Sequence, residues 1–172
     1  MQWKIRSLLI TLLSLSALAL VPARPSAAQE VPAPKPVELA CATNASAQVL
    51  SSGPVNDGSQ NLILVRMILG PGGSVGAHTH PGNLAVVVES GSLGFTLLDD
   101  GEMSITRGAT GDTEALVRDQ QVALEPGDSF FEMGMIHSAT NLSDGETTLV
   151  FSGLVEAGQP LTTCVDTAAF AG

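Results

Sequence analysis

From Asn61 onward, apolar residues fall in short blocks separated by turn-forming residues, and no stretch keeps the three-and-four spacing of a helix face. Leu62–Leu69 (L-I-L-V-R-M-I-L) is a nearly continuous apolar run stopped by Gly70-Pro71-Gly72-Gly73. Leu84–Val88 stops at Ser90-Gly91, and Leu93–Leu98 stops at Asp99-Asp100-Gly101. Met103–Thr106, Ala115–Val117 and Gln121–Leu124 are shorter, with the glycine-bearing loop Arg107–Asp112 between the first two. Ser129–Glu132 follows the turn Glu125-Pro126-Gly127-Asp128, and Thr147–Val155 follows the hairpin signal Asp144-Gly145. Runs of this length bounded by Gly, Pro and Asp predict strands, and their succession predicts an all-β sandwich or barrel. The glycines punctuate turns; none opens a nucleotide-binding helix, and no internal repeat is present.

The ends of the chain read differently. Lys4 and Arg6 precede a long apolar run, Leu8–Val21, and Ser26-Ala27-Ala28 forms a small-residue cleavage site before Gln29. Residues 1–28 therefore read as a secretory signal peptide. A single membrane anchor is the competing reading, but the run is short for a span and nothing basic follows it. Residues 29–40 begin as a proline-rich tether, Q-E-V-P-A-P-K-P, and residues 41–172 are left as one domain, ample for a core. Cys41 and Cys164 are the two cysteines. In an exported protein an even pair reads as a disulfide before it reads as a catalytic thiol or a metal site, here one tying both ends of the domain together. The predicted location is the periplasm or outside the cell.

Removal of residues 1–28 leaves four basic residues against seventeen acidic ones, a formal net charge of −13. Such a surface repels phosphate backbones and anionic lipids, so nucleic acid is excluded as a partner and no membrane anchor is expected in the mature chain. The acids are scattered, as solubility requires, and not gathered in a tail.

The candidate chemistry lies in three histidines. His78 and His80 are one residue apart between a glycine-rich turn and an apolar run, and period-two alternation puts both imidazoles on one face of a strand. Two imidazoles so placed can share a metal ion. The third, His137, lies in G-M-I-H-S-A-T-N, Gly134–Asn141.

With these residues in view, the chain resembles the cupin superfamily, in particular its small single-domain type-2-like members. The first cupin motif places a glycine, H-x-H, a glutamate and a second glycine at set intervals; Gly72, His78, His80 and Gly91 match, and Pro81-Gly82 are typical. In the second motif Gly127, Gly134, His137 and Asn141 match, although the segment between its glycines is one residue short and Met133 stands where proline is usual. The resemblance spans about residues 61–155, and all three histidines fall on motif positions. It implies a double-stranded β-helix, that is, a jelly-roll β-barrel, and a divalent metal held by His78, His80 and His137. It also implies that Asn141 holds a turn or orients His137, and that homodimers form by edge-strand pairing. Gly72, Gly91, Gly127 and Gly134 read as structural, serving backbone conformations with positive φ or close approach.

One departure changes the expected chemistry. Leu84 occupies the position of the motif glutamate and brings no ligand, as in a three-histidine subset of cupins that includes dioxygenases. Three protein ligands with open positions suit a reactive site. Imidazole accepts iron, manganese, zinc, copper or nickel, so ligand type leaves the element open. Without a carboxylate the ion keeps its +2 charge, which favours a small anionic, preferably chelating, molecule. Met133 and Met135 flank the second half-site, where a thioether would favour copper. Of the nearby acids, Glu89 has the wrong strand parity relative to His80, and Glu132 adjoins a turn where parity is untrustworthy. The leading expectation is a metal-dependent enzyme, dioxygenase-like if an oxidoreductase, or a metal-dependent binder of a small anion. The alternative is a non-catalytic barrel that binds a small molecule or serves structure.

Overall fold

The computed structural model describes residues 35–166 and Ala168, so the expected signal peptide and residues 29–34 of the tether lie outside the described residues. Twelve strands follow in order: β1 Lys35–Val37, β2 Ala42–Val55, β3 Gln60–Thr79, β4 Gly82–Ser90, β5 Leu93–Leu97, β6 Ser104–Thr106, β7 Thr113–Ala115, β8 Gln121–Leu124, β9 Ser129–Met133, β10 His137–Asn141, β11 Thr147–Glu156 and β12 Thr163–Cys164. All pair antiparallel in one curled sheet whose main path runs β7-β6-β9-β4-β11-β3-β10-β5-β8, with β1 and β12 joining through β2 and β3. No α-helix is found among the described residues.

Alternation builds the interior. On β11, Thr147, Leu149, Phe151, Gly153 and Val155 are buried while their neighbours are not. The corresponding faces of β3, β4, β5 and β9 supply Val65, Leu69, Val88, Leu93, Phe95, Leu97 and Phe130 to the same core. These apolar faces are the runs that predicted strands, buried because period two sends every second side chain inward.

β3 departs from expectation. The glycine run Gly70–Gly73 was expected to end a strand at Leu69, yet pairing continues to Thr79. Gln60–Leu69 pairs with β11, whereas Ser74, Val75 and His78 pair with β10. Gly72, at φ +68°, lets the strand turn this corner without ending, because it lacks the Cβ that disfavours such a backbone. One strand thereby changes partner partway along and carries the first half-site across the barrel.

Two further elements had weak apolar signals. β2, A-T-N-A-S-A-Q-V-L-S-S-G-P-V, has only Ala47 buried and is held by its ladder to β3. Lys35–Val37, read from sequence as part of the tether, pairs with β2 at Lys35↔Val49. The expected disulfide forms: Cys41 and Cys164 are joined with Cα atoms 5.7 Å apart. Both cysteines lie against the far end of β3, since Cys164 pairs opposite His78 and the Gly76 amide donates to the Cys41 carbonyl.

Candidate metal centre

His78 lies at the end of β3, His80 just beyond it, and His137 at the start of β10 directly opposite His78. The corner in β3 and the β3–β10 register therefore bring together three residues that are up to 59 positions apart. One ligating nitrogen from each lies within 4.8 Å of the others. His78 and His137 are 4% exposed, so water does not compete for their lone pairs. Phe95 stacks on His137 at a centroid distance of 4.9 Å and fixes its plane.

Backbone carbonyls set the tautomer of each ring. Nδ1 of His78 lies 2.7 Å from the Gly76 carbonyl, Nδ1 of His80 2.7 Å from that of Leu161, and Nδ1 of His137 3.1 Å from that of Met135. A carbonyl only accepts, so each Nδ1 carries the proton and each Nε2 presents a bare lone pair. This is the arrangement that orients metal-binding imidazoles. Burial pushes the pKa of all three rings down, that of His80 to about 4, and keeps them neutral at pH 7.

Glu132, on β9, lies beside the three-histidine cluster. It is 1% exposed, and its Oε1 lies 3.4 Å from Nε2 of His80 while its Oε2 lies 3.1 Å from Nδ1 of His137. It pairs across the β4–β9 ladder with Leu84, which is 2% exposed on the same inner face. Glu132, whose parity the sequence left open, therefore faces the interior. The turn before Ser129 does not disturb the strand, and Glu132 shares inward parity with Phe130. An acid at a core-facing position of F-F-E-M was the available signal. Leu84 faces the cavity without offering a ligand, as the sequence implied.

The remaining candidates lie elsewhere. Glu89 is half exposed and pairs with Arg66 at 3.3 Å. Met133 is 62% exposed, and the Met135 sulfur accepts the Met133 N–H, so neither thioether belongs to the cluster. Asn141 holds a turn and does not touch His137. Its Nδ2 donates to the carbonyls of Leu69, Gly70 and Gly145, and its Oδ1 accepts from Ser143 N and Thr147 Oγ1. Gly72, Gly91, Gly127 and Gly134 all have φ between +68° and +91°. Gly91 alone also sits against Thr147, where a Cβ would meet backbone.

Neither oxygen of Glu132 has a hydrogen-bond donor. Burial pushes its pKa up to about 8, so the acid is neutral at pH 7 when no cation is bound. The linkage has a definite sign. Between about pH 5 and 8 the unfolded chain has lost this proton while the folded chain retains it, so metal-free stability falls as pH rises through that window. The loss reaches up to about 5 kcal/mol above pH 8. The histidines act in the opposite sense at lower pH, where stability rises with pH up to about 6.5. Urea unfolding of chelator-treated protein should show a fall between about pH 6.5 and 8, above the histidine window, that Glu132→Gln removes. Equal pH profiles for the two proteins would contradict it.

The four side chains line a small, partly open cavity of about 40 Å³. Its other walls are almost entirely apolar, with Leu84, Phe95 and Phe151 among them, and Leu39, Leu161 and Thr162 close it from the two terminal segments. Three bare imidazole lone pairs and a donorless carboxyl in such a pocket lack any counter-charge, because no Lys or Arg lines it. A divalent cation fits this donor set.

Both histidine half-sites, on strands of one curled antiparallel sheet, converge inside the barrel as the motif spacing implied. The fold is a jelly-roll β-barrel, the architecture that the motif resemblance implied. By sequence, no family model and no curated protein matches the chain. By structure it is similar to a cupin superfamily protein from Desulfitobacterium hafniense, at 14% identity and TM-score 0.45 over 65% of this chain and 78% of that one. It is also similar to oxalate oxidase in complex with glycolate, at 18% identity and TM-score 0.47 over 75% of this chain and 59% of that one. A variant of oxalate decarboxylase from B. subtilis matches at 19% identity and TM-score 0.48 over 77% of this chain, which spans only 30% of that enzyme.

Proposed function

We propose that this cupin is an exported metalloprotein that binds one divalent ion through His78, His80 and His137 and uses it on a small anionic molecule, as an oxidoreductase of the dioxygenase kind. The observation that carries the reading is the convergence of three neutral imidazoles, with Nε2 lone pairs bare, in a largely apolar cavity that no Lys or Arg lines. A barrel that had given up its ion would have no use for three tautomers set by three separate carbonyls. Export is supported by the disulfide and by the signal-like first 28 residues.

A bound ion would supply a Lewis-acidic centre with positions left open for ligands. The chain does the rest. The Gly76, Leu161 and Met135 carbonyls hold the imidazoles in ligating tautomers, and Phe95 fixes the His137 plane. Leu84, Phe151 and their neighbours keep bulk water out, which strengthens every charge interaction inside. The cavity volume limits the reacting part of a ligand to a few non-hydrogen atoms.

Elemental analysis of the exported protein, purified with its disulfide intact, tests the binding. Near-stoichiometric iron, manganese, copper, nickel or zinc is expected. Oxygen uptake by the metal-loaded protein with a panel of small carboxylates, enols and thiols then tests the reaction. No metal after loading with all five elements would sink the proposal.

A further inference from the structure

Resting on the metal reading above, we infer that Glu132 is a fourth protein ligand to the ion, supplied from β9 at the position facing Leu84. Leu84 and Glu132 are direct partners in the β4–β9 ladder, and both point into the cavity. Cross-strand partners on one face have Cβ atoms about 5 Å apart, so a carboxylate on either strand reaches the same volume. The barrel thus holds its carboxylate one strand away from the motif position, where sequence alignment to the motif does not find it.

The alternatives for this side chain fail on the geometry. Its oxygens have no hydrogen-bond donor. Nδ1 of His137, the nearer nitrogen, is directed at the Met135 carbonyl, and Nε2 of His80 at 3.4 Å presents a lone pair and not a proton. The four cations nearest in sequence are engaged or remote. Arg66 pairs with Glu89, Arg107 with Glu114 and Asp128, Arg118 with Asp100, and Lys35 is exposed on β1. A carboxyl buried to 1% exposure, 3.4 Å from the bare Nε2 of His80 and against the His137 ring, is placed to meet a cation held by these imidazoles.

The fourth ligand changes what the site selects. With a carboxylate among the ligands, the divalent centre carries one net positive charge instead of two. That lowers the attraction of the site for anions relative to a centre held by three imidazoles alone.

The test uses Co²⁺, whose d–d absorption reports its ligands, titrated into full-length disulfide-bonded protein against a competing chelator. Wild type is compared with Glu132→Gln and with the exchange Leu84→Glu/Glu132→Leu, each first shown to fold by circular dichroism. Glutamine preserves the shape of the protonated acid, so Glu132→Gln should fold. The expected result is about a 100-fold loss of Co²⁺ affinity and a shifted spectrum in Glu132→Gln. The exchange should regain affinity to within about tenfold of wild type, because the carboxylate returns to the same volume. Wild-type affinity and spectrum in Glu132→Gln would overturn the inference while leaving the three-histidine site standing; absence of Co²⁺ binding in wild type would overturn both.

Discussion

Replacing His78 and His137 together by alanine should abolish metal binding, from near one ion per chain to below about a tenth, and with it any oxygen-dependent turnover. These two residues face each other across β3 and β10 and are both 4% exposed. Their loss leaves His80 and Glu132, too few protein ligands to hold a divalent ion tightly. Elemental analysis and chelator competition measure the effect. Thermal unfolding gives a second readout: metal should raise the melting temperature of wild type, since it binds only the folded state, and leave the double variant unmoved. Two buried imidazoles replaced by alanine also enlarge the cavity, so metal-free stability is compared first. Metal retained by the double variant would show that the ion sits elsewhere.

Breaking the Cys41–Cys164 bond should reduce both stability and metal affinity. Its cysteines are 123 residues apart, and a cross-link closing so long a loop contributes about 4–5 kcal/mol in the chain-entropy model. The second effect comes from position. Cys164 pairs opposite His78 on β12, and the segment just before β12 carries Leu161, whose carbonyl receives the His80 Nδ1 proton at 2.7 Å. Releasing that segment frees the His80 ring to change tautomer and opens the wall formed by Leu39 and Leu161. Positioning groups of this kind are worth about 10–100-fold in metal affinity. Denaturant titration and Co²⁺ competition of Cys41→Ser/Cys164→Ser, each beside wild type, should show both losses. Lower stability with unchanged affinity would confine the bond to a structural role.

How far the chain could be read without its structure differs from element to element. The β11 strand is legible because its alternation is strict and one face is fully buried. The β3 strand is legible only to Leu69, because the glycines at its corner look like a stop when no partner strand is visible. The β2 strand is nearly invisible, since its ladder to β3 comes from backbone groups that every sequence carries. Among site residues, the histidines stand out by spacing, whereas Glu132 looks like any acid beside a turn.

The sequence by itself determined the alternating apolar faces, the acidic surface charge, and the three histidines with their motif spacing. These are properties of residue type and of neighbours close along the chain, which local periodicity reports directly. Only the tertiary structure decided that β3 turns its corner to set His78 opposite His137, that Leu161 fixes His80, and that Glu132 stands against Leu84. Each of these is a contact between segments distant in the chain. Cross-strand register depends on which strands meet and where they bend, and a one-residue slip would have turned Glu132 out to solvent.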